Sequence, residues 1–159
     1  MAVAHPQIAV NTEAEAVPAR AKVRSVPISS APVTEVSKDH FITRNGECYA
    51  GSHLIVDMWE ASSLDDIGLI ERTLREAVDA SGATLLHIHL HHFTPNGGVS
   101  GVAVLAESHI SIHTWPERGY AALDIFMCGD AEPDKAIPVL ERAFTPGSLI
   151  VDELKRGRV

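Results

Sequence analysis

The sequence contains few cysteines and no long apolar run. Its 159 residues include only two cysteines, Cys48 and Cys128, too few for the disulfide framework of a small secreted domain. The first residues show no basic segment followed by an apolar core, so we expect no secretory signal and a reducing, cytoplasmic location. No apolar run approaches the roughly 20 residues that cross a bilayer, so we expect no membrane partner.

Basic residues are also scarce. The chain has 13 Lys and Arg residues against 21 Asp and Glu residues, a formal net charge of -8, and no basic cluster stands out. Such a surface does not attract a phosphate backbone, so nucleic acid is not an expected partner. With 45% hydrophobic residues, the chain can build one domain with a substantial core.

The N-terminal third of the chain differs from the rest. Residues 1–47 show no sustained period of 2 or 3.6, are rich in Ala, Val, Ser and Thr, and contain the prolines Pro6, Pro18, Pro27 and Pro32. We predict that residues 1–47 form a disordered extension and that residues 48–159 form the folded domain.

Hydrophobic periodicity predicts strands and two helices in the rest of the chain. Apolar residues recur on one face over 64–82 and 134–144, which predicts helices, and Pro138 fits the first turn of the second. The predicted strands are 53–61, 83–93, 99–108, 109–115, 120–129 and 148–154. Short turns between strands imply antiparallel pairing. The predicted fold class is therefore α+β, a two-layer sandwich with an antiparallel sheet and two helices on one face.

Two other sites are considered and disfavoured. The sequence lacks the glycine-rich loop and strict strand–helix alternation of nucleotide-binding folds. His87, His89 and His91 alternate with apolar residues and share one strand face, where imidazoles could bind a metal. No carboxylate or cysteine accompanies them locally, so we expect a polar stripe that faces solvent or another subunit, and no metal.

Reactive side chains concentrate where the predicted strands 99–108 and 109–115 meet. Ser108 and His113 are five residues apart, so they lie on opposite faces of an uninterrupted strand and would meet only if the chain bends. The segment is not the G-x-S-x-G elbow of a hydrolase, and no acid partner is evident. Cys128, at a strand end before a glycine, suits either a buried structural thiol or a positioned acid or nucleophile.

Three blocks of sequence resemble a known family. The segments FTPNGGVSG (93–101), ESHISIHTWPE (107–117) and DIFMCGD (124–130) resemble, in order and nearly in spacing, those of the bacterial S-adenosylmethionine decarboxylase proenzymes. The resemblance covers residues 51–157. It departs at Gly97 and Gly98, where the family pattern carries one glycine, so the loop is expected to be one residue longer.

The resemblance implies that the chain cuts itself. Cleavage between Glu107 and Ser108 would give chains 1–107 and 108–159 and convert Ser108 into a covalent pyruvoyl group, with no diffusible cofactor. In this reaction Ser108 attacks the Glu107 carbonyl, His113 removes the Cα proton of Ser108, and Ser100 assists. During turnover, Cys128 is the implied proton donor, and the pyruvoyl group withdraws electrons as carbon dioxide leaves.

The resemblance also implies a substrate. Phe93 and Trp115 would flank the adenine of S-adenosylmethionine, and Glu117 would hold its ribose hydroxyls. The product would be the aminopropyl donor for spermidine synthesis, made by a homo-oligomer of cleaved protomers from a small-molecule substrate. Two alternatives stay open: decarboxylation of arginine or ornithine on the same fold, or an unprocessed homologue that regulates a partner.

Overall fold

The computed structural model describes residues 40–159. Along this part of the chain, eight strands and two α-helices follow one another. They are β1 (Ile42–Arg44), β2 (Glu47–Tyr49), β3 (Gly51–Trp59), α1 (Ile67–Ala80), β4 (Leu85–His92), β5 (Val99–Leu105), β6 (Ser108–Trp115), β7 (Tyr120–Met127), α2 (Ile137–Phe144) and β8 (Ser148–Arg156).

Six of the strands form one antiparallel sheet. Their order is β4-β5-β6-β7-β3-β8, and β1 pairs only with β2 in a separate hairpin. A strand from early in the domain thus lies between two late strands. The α+β fold class predicted from the sequence is confirmed.

Both helices bury their apolar faces against the sheet. Helix α1 begins where the Asp66 side chain accepts a hydrogen bond from Leu69 N–H at 2.9 Å, a regular N-cap. Helix α2 follows a short 3-10 turn and holds Pro138 in its first turn, as predicted. The buried side chains of the two helices and of the sheet form one core: Ile70, Leu74, Ala77, Val139, Leu140 and Phe144 pack with Leu54, Val56, Ile110, Ile112, Leu123 and Ile125.

The opposite surface of the six-stranded sheet, which we call the open face, is not covered by either helix. The large apolar side chains it exposes include those of Trp59 (43%), Ile150 (49%) and Leu154 (48%). Several exposed apolar side chains on one face are typical of an interaction face.

The predicted boundary at residue 47 is wrong. The β1–β2 hairpin occupies residues 42–49, so the folded part begins before residue 48. Its strands have three residues each, too few to produce a periodic pattern. The predicted disorder of residues 1–39 lies outside the described residues.

Strand β4 carries the predicted histidine stripe. His87, His89 and His91 are exposed on the open face, while Ile88 and Leu90 pack against the core. Strict alternation with Ile88 and Leu90 would place Leu86 in the core as well, but a register shift between residues 85 and 87 turns it outward, and it is 64% exposed.

Three further properties concern the described residues alone. Within 40–159, no group of three or more His, Cys, Asp or Glu side chains is arranged to hold a metal ion. No helix in this range is long and apolar enough to cross a membrane. Cys48 and Cys128 are both free thiols.

Candidate active site

The turn between β5 and β6 contains the bond that we predict to be cut. It consists of Ala106 and Glu107, because β5 ends at Leu105 and pairs there with Ser108, the first residue of β6. Glu107 has φ 59°. This left-handed conformation costs a residue with a side chain roughly 1 to 2 kcal/mol. The predicted cleavage bond therefore follows a strained residue.

Cys128 contacts both sides of that bond. Its backbone N–H donates to Ser108 Oγ at 3.3 Å, and its Sγ lies 3.6 Å from the same oxygen. The thiol also donates to the carbonyl oxygen of Glu107 at 3.0 Å. A cavity of about 230 Å³ opens beside these three residues. The Ser108 hydroxyl could attack the Glu107 carbonyl, and the Cys128 thiol donates to that carbonyl. Both groups therefore lie together, where β6 begins and β7 ends.

We expect Cys128→Ala to slow self-cleavage about tenfold, because the carbonyl oxygen gains negative charge during the attack and would lose its thiol donor. The rate can be measured as loss of the full-length chain on denaturing gels. Cys128→Ser keeps a donor at this position and should cleave faster than the alanine variant. Equal rates for Cys128→Ala and the unsubstituted chain would show that the thiol contact does not contribute.

A second set of predicted residues lies on the open face. Ser100 and His113 are opposite each other on β5 and β6, and Ser100 Oγ lies 2.9 Å from His113 Nδ1. A cavity of about 350 Å³ beside them is lined by Ser100, Phe93, Trp115 and Glu117, together with Thr94, Pro95, Asn96, Gly98 and Thr114. The three residues predicted to bind a nucleoside thus share one cavity.

The loop after Phe93 forms one wall of this cavity. Phe93 N–H donates to Gly98 O, and Gly97 N–H donates to Phe93 O, each at 2.8 Å. Gly97 has φ 74°, and a Cβ on Gly98 would lie 2.7 Å from the carbonyl oxygen of Thr114. Gly97 therefore lets the chain turn with a positive φ, and Gly98, which has no side chain, lets the loop approach β6.

Trp115 belongs to an aromatic stack that the sequence did not predict. Its ring stacks on Tyr120 with centroids 5.2 Å apart, and Tyr120 stacks on Trp59 at 4.3 Å. Tyr120 Oη donates to Asp57 Oδ1 at 2.5 Å. This hydrogen bond, followed by burial, raises the pKa of Tyr120 to about 12. The hydrogen bond to Asp57 and the stacking on Trp59 thus hold the Tyr120 ring in place, and this ring in turn stacks against Trp115.

A titratable cluster on the open face was also missed. His53 Nε2 lies 3.2 Å from Asp124 Oδ1, and His53 Nδ1 lies 3.2 Å from an Arg156 guanidinium nitrogen. Burial lowers the pKa of the neighbouring His109, and the nearby His53 lowers it further, while Asp124 opposes the shift. The alternation of side chains along each strand could have predicted that the residues of this cluster lie on the open face. Their contacts with one another depend on the register between the strands, which the sequence does not show.

The two sets of predicted residues do not meet within one chain. β6 runs from Ser108 to Trp115 as one strand. Ser108 and His113 are therefore about 16 Å apart along it. Their odd spacing also places them on opposite faces. The bend that would bring them together within one chain is not present in β6.

Comparison with known proteins separates the chain into a matched and an unmatched part. The family model for S-adenosylmethionine decarboxylase matches residues 52–157. The chain belongs to the S-adenosylmethionine decarboxylase family. The matched range includes every residue of the predicted site and begins after the β1–β2 hairpin.

Individual relatives in the family agree with this match. A protein of Thermomicrobium roseum named S-adenosylmethionine decarboxylase proenzyme is 46% identical over 110 residues, covering 69% of this chain and 95% of that protein. One of Methanococcus maripaludis with the same name is 51% identical over 110 residues, covering 67% and 89%. The crystal structure of the adenosylmethionine decarboxylase from Aquifex aeolicus VF5 is 33% identical, with a TM-score of 0.60 over 69% of this chain and 92% of that one.

Proposed function

We propose that this chain decarboxylates S-adenosylmethionine after it cuts itself between Glu107 and Ser108 and converts Ser108 into a pyruvoyl group. The observation that carries the proposal is the contact of Cys128 Sγ with the Ser108 hydroxyl and with the Glu107 carbonyl oxygen, at 3.6 and 3.0 Å. The family match supports the reaction, and the cavity beside Trp115 supports a nucleoside substrate.

Self-cleavage takes place on the chain's own atoms. Ser108 Oγ attacks the carbonyl carbon of Glu107, the C–N bond breaks, and the Ser108 amine takes up the hydroxyl proton. His113 of a second copy of the chain then removes the Cα proton of Ser108, the Cβ–Oγ bond breaks, and Glu107 leaves as a carboxylate. Water replaces the nitrogen, which departs as ammonia, and a ketone remains at the start of chain 108–159.

The residues around Ser108 fit the resulting group. The pyruvoyl group supplies an electron sink when carbon dioxide leaves the substrate's α-carbon. Cys128 already contacts the Ser108 side chain, so its thiol is well positioned to donate the proton that this carbon requires. Protonation there yields the aminopropyl donor for spermidine synthesis and keeps the group intact for the next cycle.

The second cavity favours a nucleoside over a simple basic amino acid. The aromatic side chains of Phe93 and Trp115 line it, and Glu117 adds a carboxylate. A cationic sulfonium nucleoside gains from both, because aromatic faces attract cations and a carboxylate accepts hydrogen bonds from ribose hydroxyls. Arginine and ornithine have no base to stack and no ribose to hold.

We expect the protein to turn over S-adenosylmethionine much faster than arginine or ornithine, as measured by release of carbon dioxide. Glu117→Gln should raise the KM for S-adenosylmethionine about tenfold, because it weakens charge-assisted hydrogen bonds worth roughly 1.5 to 3 kcal/mol each. Self-cleavage should be unaffected. Glu141→Gln, an exposed change on α2, is the matched control. Turnover of ornithine or arginine, with none of S-adenosylmethionine, would contradict the proposed substrate.

We further propose that two copies of the uncut chain associate through their open faces and stay associated after cleavage. The exposed side chains of Trp59, Ile150 and Leu154 give this face an apolar surface. A two-fold pair buries the same surface on both copies. In such a pair, Ser100 and His113 of one copy complete the cluster of Ser108 and Cys128 on the other. The polar stripe on β4 would then border the same interface.

A further inference from the structure

The segment ahead of the matched domain reaches the turn that contains the proposed cleavage bond. His40 lies outside residues 52–157, the part of the chain that the family model matches. Its Nε2 lies 3.2 Å from Glu107 Oε2, with the two side chains 54% and 55% exposed. His40 also lines the cavity beside Ser108 and Cys128. A residue outside the matched range thus contacts the residue whose carbonyl we propose is attacked.

The backbone holds His40 in place independently of its side chain. The Gly129 N–H donates to the carbonyl oxygen of His40 at 3.0 Å, directly after Cys128. Beyond it, the β1–β2 hairpin is fixed to the end of the chain, where Val159 N–H donates to Cys48 O at 3.0 Å and Lys155 pairs with Glu47. Substitutions of the His40 side chain should therefore leave the segment where it is.

The elimination step creates a charge problem at Glu107. When the Cβ–Oγ bond of Ser108 breaks, the bonding electrons leave with the α-carboxylate of Glu107. This residue then carries two carboxylates, one on its side chain and one on its backbone. Two like charges so close together disfavour ionisation, and a nearby cation or hydrogen-bond donor offsets the repulsion. In the described structure, the His40 imidazole is at ion-pair distance from the side-chain carboxylate.

The Glu107 carboxylate oxygen that contacts His40 also lies at the outer limit of hydrogen-bond distance from the Cys128 thiol. Glu107 Oε2 lies 4.0 Å from Cys128 Sγ, while the thiol donates to the Glu107 carbonyl oxygen at 3.0 Å. A carboxylate released from His40 could compete with that carbonyl oxygen for the thiol hydrogen. His40 is therefore placed to keep the thiol donor available to the reacting carbonyl.

We propose that His40 is a positioning residue for self-cleavage. Its imidazole binds the Glu107 side-chain carboxylate and offsets the repulsion between the two Glu107 carboxylates while the backbone carboxylate leaves. The inference rests on the proposed cleavage between Glu107 and Ser108. It assigns to the segment outside the family match a role in maturation of the enzyme.

The test compares rates of self-cleavage in freshly translated full-length chains. His40→Leu removes the side chain's polar contact with Glu107, His40→Arg keeps a donor there, and Arg75→Leu is the control, since it breaks an ion pair of similar exposure on α1. We expect His40→Leu to slow cleavage about threefold, the effect of losing one exposed polar contact. The ester intermediate, an uncut chain that hydroxylamine can cleave, should accumulate. His40→Arg and Arg75→Leu should cleave at the rate of the unsubstituted chain.

A second pair of variants tests whether the effect passes through Glu107. In a Glu107→Gln background, which has no side-chain charge, adding His40→Leu should cause no further slowing. Unchanged cleavage in His40→Leu, or equal slowing in His40→Leu and His40→Arg, would overturn the role of His40 while leaving the cleavage site intact. An unsubstituted chain that stays whole would instead contradict the proposed function itself.

Discussion

Ser108→Ala should remain one uncut chain of 159 residues without decarboxylase activity, whereas the unsubstituted chain should convert completely into fragments 1–107 and 108–159. The substitution removes the hydroxyl oxygen that we propose attacks the Glu107 carbonyl, and without this oxygen the ester cannot form and the later elimination cannot occur. The effect is therefore all or none.

Intact-mass measurement checks this result more sharply than a gel. Fragment 108–159 should be lighter by one ammonia than simple hydrolysis would leave it, and Edman sequencing should find no free amine. Ser111→Ala is the matched control, since Ser111 lies on the same strand but donates to Asp124 and does not contact the turn. An unsubstituted chain that stays whole after prolonged incubation would contradict self-cleavage and favour an unprocessed regulatory homologue.

Combining two inactive variants should restore activity. Ser108→Ala lacks the attacking hydroxyl, and His113→Ala lacks the proposed base, so each is expected to be inactive alone. In a mixed pair, one site combines Ser108 from one copy with His113 from the other, while the second site lacks both. Random pairing makes half of the pairs mixed, so about one quarter of all sites should be intact.

The measurement is co-expression of differently tagged variants, followed by decarboxylation assays and by detection of fragment 108–159. The control combines Ser108→Ala with Cys128→Ala, because both changes fall in the cluster that one copy contributes. That mixture should gain no activity over Cys128→Ala alone. If the first mixture stays inactive, His113 does not act across the interface, and the shared site is wrong.

The elements that sequence could predict are those with a local pattern. Helix α1 has Ile70, Leu74 and Ala77 on one face, and all three are buried as expected. Pro138 correctly marks the first turn of α2. The exception on β4 is Leu86, because a bulge changes the alternation without leaving a signal in residue types.

What the sequence could not predict depends on contacts between distant segments. The position of β3 between β7 and β8 follows from the packing of the whole sheet. The hydrogen bond between Tyr120 and Asp57 depends on that strand order, as does the stack beneath Trp115. The separation of Ser108 from His113 was foreseeable from their odd spacing, but whether β6 bends between them was not.

Strand order also decides what the proposed cut would do to the protein. Fragment 1–107 contains β3, β4 and β5, and fragment 108–159 contains β6, β7 and β8, yet β3 lies between β7 and β8. β3 is therefore hydrogen-bonded on both sides only to strands of the other fragment, and the halves are interdigitated. Under the proposed self-cleavage, the chain folds as one molecule before it is cut. If the cut protein then unfolds, two separate fragments must meet for it to refold, so refolding becomes a second-order reaction that slows with dilution. The proposed cut would therefore make the folded state depend on slow unfolding rather than on a reversible folding equilibrium.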